Sequence, residues 1–114
     1  MGHSGRKLLV LALVALAGCG VSEDKFESSR EVLAGSPAAR NAFISNCVER
    51  MKSKPAQQRA QLAAIINTSV RNMPGSYCQR VTRGIVNGRI TREDLNKSMG
   101  GNVTPSVIRV LQGR

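Results

Sequence analysis

Three cysteines and a run of arginines are the residues of this chain whose types could do chemistry. Cys47 and Cys78 stand far apart, with no Cys-x-x-Cys redox pair and no close-spaced set of metal ligands. The only histidine is His3, so nothing beyond the head of the chain supplies an imidazole as general base or metal ligand. From Arg40 onward the acids are Glu49, Glu93 and Asp94. Glu49 has no second carboxylate beside it, and Glu93-Asp94 suits the first turn of a helix. There is no Cys-x-x-Cys-His haem attachment and no glycine-rich phosphate loop; Gly100-Gly101 reads as a helix stop. The pattern argues against an enzyme, and neither a metal nor another cofactor is expected.

The third cysteine belongs to a different kind of motif. Arg6-Lys7 precede an apolar run from Leu8 to Ala17, and Gly18-Cys19 follow. A positive start, an apolar stretch and small residues before a cut site make a secretory signal peptide. As a helix, Leu8 to Ala17 would span about 15 Å, half of the ~30 Å hydrocarbon layer, so a permanent membrane span is disfavoured. Leu16-Ala17-Gly18-Cys19 resembles the lipobox of bacterial lipoproteins. That resemblance implies removal of residues 1–18, a diacylglycerol thioether on Cys19 and acylation, commonly by palmitate, of the new amino terminus. Two or more acyl chains hold stably where one does not. The residue after the cysteine is Gly20 rather than the Asp that tends to retain lipoproteins in the inner membrane. The expected location is therefore the bacterial envelope, facing the periplasm, with the outer membrane favoured over the inner.

With residues 1–18 gone, 96 of the 114 residues remain, enough for one domain. A small exported domain often needs a covalent staple. Once Cys19 is assigned to lipid, Cys47 and Cys78 are left in an oxidising compartment, either as a disulfide or as two buried thiols. Closing the loop between them would contribute roughly 3.6 kcal/mol on the chain-entropy account. The predicted organisation is a lipidated Cys19 with a polar tether through residue 35, then a basic helical domain over 36–114. A short helix around Phe26–Leu33 is compatible with the tether.

The elements of the domain follow from capping residues and apolar spacing. Ser36-Pro37 opens a helix in which Phe43, Ile44, Cys47, Val48 and Met51 share a face, with Arg40 on the same side by angle. A second helix is predicted from Lys54-Pro55 to about Met73, its stripe made of Leu62, Ile65, Ile66, Val70 and Met73. Pro74-Gly75 reads as a turn and Ser76 as the cap of a third helix to about Asn87, with Cys78, Val81 and Ile85 inward. Both cysteines thus face the core from different helices. Gly88 would end the third helix in a left-handed conformation. Thr91 with Asp94 reads as a capping box, and Thr104-Pro105 starts a last helix with Val107, Ile108 and Leu111 inward. The fold class is all-α, four or five short helices in a small bundle tied by one disulfide. The segment Asn87–Leu95 is similar to the back half of a calcium-binding EF-hand loop. The same alignment puts Arg83 where the first oxygen ligand belongs, which argues against a metal site.

Charge supplies the remaining functional signal. The whole chain carries +10, and loss of Arg6 and Lys7 leaves +8. Residues 20–39 net −2, whereas from Arg40 onward the net is +10. Arg80, Arg83, Arg89, Arg92 and Lys97 form the densest cluster, and Arg50, Lys52, Lys54 and Arg59 a second. Such a field could bind an acidic envelope component (lipid phosphates or peptidoglycan carboxylates) or an acidic protein; the alternative is a solvated helix face. With Phe26, Phe43 and Tyr77 as the aromatics beyond the signal, no stacking platform for nucleic acid is expected. The expectation is a membrane-anchored accessory or binding module, or alternatively an anchored exclusion or inhibitor protein acting against an incoming enzyme or conjugation apparatus.

Overall fold

A computed structural model describes residues 20–114 as six helices, with no strand among the described residues. Residues 1–18, expected as a signal peptide, and Cys19 lie outside the described residues.

Residues 20–35, expected as a polar tether, belong to the folded unit. Ser22 accepts a hydrogen bond from the Lys25 amide and starts helix α1, Glu23–Gly35, whose first turn carries Glu23 and Asp24 against the positive helix end. Phe26 and Leu33 are seven residues apart, two turns of helix on one face, and both are buried in the main core. Two apolar anchors in an otherwise polar helix suffice because the rest of its surface is solvated. Ser36 then ends α1 and caps α2, Pro37–Lys52, accepting from the Ala39 amide at 3.1 Å with Pro37 in the first turn. Arg40 reaches back to donate to the Leu33 carbonyl at 2.7 Å, satisfying a terminal acceptor of α1.

Helix α2 has no fully buried residue, and Phe43, expected inward, is 40% exposed. The helix packs along α4 through half-buried side chains, Met51 among them, and is tied there by the Cys47–Cys78 disulfide, Cα–Cα 5.8 Å, to a fully buried position on α4.

The helix predicted from 54 to 73 is shorter. Helix α3 runs Ala56–Ile65, and the chain leaves it through Asn67 at φ 57°, with the Thr68 amide on the Ala63 carbonyl at 3.0 Å and the Asn67 amide on Ala64 at 3.3 Å. This is a Schellman ending, which asparagine can adopt more readily than most non-glycine residues. The apolar stripe therefore splits: Ile66 and Met73 are buried, while Ile65 and Val70 are exposed. Helix α4, Met73–Val86, begins before Pro74-Gly75, so Pro74 occupies the first turn of a helix where a turn was expected. Ser76 lies inside it, its amide donating to Asn72.

Helix α4 is the centre of the fold, packed by α1, α2 and α3 and by the last helix, α6, Pro105–Leu111. Its Gly84 permits a close approach: a Cβ there would lie 2.8 Å from both Ile90 Cδ1 and Val110 Cγ1. After Gly88 at φ 81°, Thr91 and Asp94 form the expected capping box at the start of α5, Arg92–Met99. The core joins Phe26, Leu33, Ile66, Met73, Ile85 and Ile90 to Val107, Val110 and Leu111 of α6.

Candidate functional site

The five cations singled out in the sequence do not form one surface. Arg80 is half-buried, and its Nη1 donates to the Ile66 carbonyl at 2.9 Å and the Leu111 carbonyl at 2.7 Å. Both acceptors are terminal carbonyls of helices, α3 and α6, which end beside each other; Gln112 Nε2 adds a bond to the Ile65 carbonyl at 3.0 Å. A guanidinium is suited to this position, since it offers several donors and faces the negative ends of two helices. Gly113, at φ 74°, lies against the same group: an added Cβ would sit 3.4 Å from Arg80 Cζ. Arg80 therefore acts first as a clamp inside the fold.

Arg83 and Arg89 are exposed and stand with Arg80 around a depression of about 110 Å³, floored by Gly84 and Val110. Asn87 completes its edge, with its Oδ1 accepting from the Arg89 amide at 3.1 Å. Arg89 Nη2 is also 2.6 Å from the Arg114 carbonyl oxygen. No Asp or Glu side chain lines this depression, but Arg80 and Arg89 are each bonded to main-chain oxygens at its edge, which offsets part of their positive field. The volume suits one phosphate or carboxylate group rather than a whole cofactor. What such a lining can do chemically is attract an anion.

The other two cations lie apart on α5. Arg92 lines a cleft of about 460 Å³ together with Glu23, Glu27, Arg30 and Glu93, a lining of both signs. Lys97 pairs with Glu93 at 3.0 Å, an exposed contact of one helical turn. Of the second basic cluster, Lys52 lies 3.9 Å from Glu49, and Arg59 donates to the Lys54 carbonyl at 3.0 Å. Asp94, in the first turn of α5 and bonded to Thr104 at the start of α6, is pulled two ways. Burial raises its carboxyl, but bonds from the Thr91 amide and the Thr104 hydroxyl, with the Lys97 charge nearby, outweigh this and hold it below the usual carboxylate range.

A contact with no warning in the sequence is the seat of the chain's first described residues. Asn96 of α5 accepts from the Val21 amide at 2.7 Å and donates to the Val21 carbonyl at 3.2 Å. Gly20 touches the same side chain so closely that a Cβ would meet Asn96 Oδ1 at 2.8 Å. The partners are 75 residues apart, and an asparagine in a polar helix gives no sign of them. Among the described residues no group of three or more His, Cys, Asp or Glu side chains could hold a metal, and no helix is long and apolar enough to cross a membrane. No family model, curated protein or solved structure matches the chain, so its function has to be read from its own residues.

Proposed function

We propose that this chain is a membrane-anchored envelope lipoprotein whose disulfide-tied domain is a non-enzymatic binding or structural accessory module for an acidic partner. The observation that carries the binding assignment is the acid-free depression ringed by Arg80, Arg83 and Arg89. The anchor assignment rests on Leu16-Ala17-Gly18-Cys19, and the Cys47–Cys78 bond suits an oxidising compartment such as the periplasm. Arg83 and Arg89 are the contacts with the partner, because their side chains are exposed; Arg80 shapes the floor from within. The partner presents phosphate or carboxylate groups, as an acidic envelope component or an acidic envelope protein does.

The test is salt-dependent association of the purified chain with anionic lipid vesicles, with isolated peptidoglycan and with solubilised envelope proteins. The parent should bind at least one of these at low salt and lose affinity as salt rises. The double variant Arg83→Gln/Arg89→Gln should lose most of that binding while melting at the parent temperature. Undiminished binding by the double variant, or a parent that binds none of the three, would refute the assignment.

A further inference from the structure

We infer that the domain lies directly on the membrane surface through the turn between α5 and α6, with Met99 and Val103 seated among the lipid head groups; this rests on the lipid anchor proposed for Cys19. The first argument is reach. Residues 20–35, if they were an extended tether, would let the domain stand off by as much as about 55 Å. In the fold that slack is absent, because Val21 is already bonded through both its amide and its carbonyl to Asn96. Cys19 is two residues from Val21 and its Cα cannot be more than about 7 Å away. With the lipid on Cys19, at most two residues of chain separate the bilayer from the Val21–Asn96 contact, and what α5 exposes beside Asn96 meets the bilayer.

The second argument is what that region exposes. Met99 is 55% and Val103 49% exposed, among the most exposed of the large apolar residues, with Val32, Ile65 and Val70 comparable elsewhere on the fold. Met99 follows Asn96 by three positions, so the two are neighbours on one side of the helix. The exposure is built in and not a frayed end. The Asn102 amide donates to the Lys97 carbonyl at 2.8 Å and the Gly101 amide to Ser98 at 3.0 Å, a complete Schellman ending with Gly101 at φ 94°. The Thr104 hydroxyl donates to Asp94 Oδ1 at 2.9 Å, tying the far side of the turn to the start of α5. Two apolar side chains are thus presented on a hydrogen-bonded turn that carries no charge between residues 98 and 104. Lys97 stands next to it, and its exposed pair with Glu93 is weak enough to be exchanged for a lipid phosphate. Shallow seating of apolar side chains at the head-group boundary, flanked by a cation, is the pattern of a protein that lies on a membrane rather than spanning it.

The chain contains no tryptophan, so a single introduced one reports its own surroundings. The lipid-carrying protein, purified from membranes and reconstituted into vesicles containing brominated acyl chains, is compared as Val103→Trp, Met99→Trp and Phe43→Trp. Phe43 lines the exposed groove at the other end of α1. The inference expects a blue shift and strong quenching at positions 103 and 99, and neither at 43. A chain whose intact mass includes lipid but whose tryptophans at 103 and 99 stay unshifted and unquenched, or are quenched no more than that at 43, overturns the orientation while leaving the anchor standing. A mass without lipid overturns the anchor and the orientation with it.

Discussion

Replacing Arg80 separates a clamp from a binding residue. In Arg80→Gln the shortened side chain no longer reaches the carbonyls of Ile66 and Leu111, which Nη1 now holds at 2.9 and 2.7 Å. Hydrogen bonds from a charged donor contribute about 1.5–3 kcal/mol each, but Arg80 is only half-buried and water would take over part of both. A net loss of roughly 2 kcal/mol is therefore expected for the pair. For a domain of this size that corresponds to a fall in Tm of about 8–16 °C. Arg80→Lys keeps the charge but not the planar fork, and should melt between the parent and the glutamine variant. The assay is thermal unfolding followed by far-ultraviolet circular dichroism at low and high salt. Because the two bonds are geometric and partly buried, the loss should persist at high salt, where a surface effect would fade. If Arg80→Gln melts within about 2 °C of the parent, the shift of a neutral surface change, the clamp does not exist and Arg80 returns to the solvent-facing set.

Reduction, or Cys47→Ser, should lower stability by about 3.6 kcal/mol, and the Cys47→Ser variant should melt identically with and without reductant. Gly84→Ala gains helix propensity yet should still destabilise by about 1–3 kcal/mol, since the new methyl meets Ile90 and Val110 at 2.8 Å; a denaturant titration reads the sign. The depressed Asp94 carboxyl contributes stability that is complete above its ordinary titration range and is lost as pH falls through its lower folded value. Asp94→Asn should cost about 1 kcal/mol at neutral pH and flatten the acid limb of the stability profile, which urea midpoints measured below pH 5 would show.

What was legible in the sequence was local chemistry. Ser36-Pro37, Thr91 with Asp94, and Thr104-Pro105 each declare a helix start because the bond they make is three residues away. The disulfide was one of two readings open to a pair of cysteines left in an oxidising compartment, and their places on apolar stripes of different helices agree with the bond that the structure shows. The helix expected to run on to Met73 failed at Asn67, where a left-handed residue breaks the chain while the apolar period continues through it. Helix α1 was underrated because only Phe26 and Leu33 reveal its inner face. Within the candidate site, Arg83 and Arg89 are exposed and Arg80 is half-buried, a difference with no mark in the sequence, because the acceptors of Arg80 come from 14 and 31 residues away and a clamping arginine has no spelling of its own. The Asn96 seat for Val21 was hidden for the same reason.

Helix α2 brings to the fold a covalent bond in place of a buried side chain. Its attachment therefore depends on electrons as well as on water. In a reducing environment α2 would keep only its half-buried apolar contacts along α4, Met51 among them, and would be held less tightly there. If the proposed envelope location holds, forming the Cys47–Cys78 bond after export would be the step that completes the fold, and the compartment would set its timing.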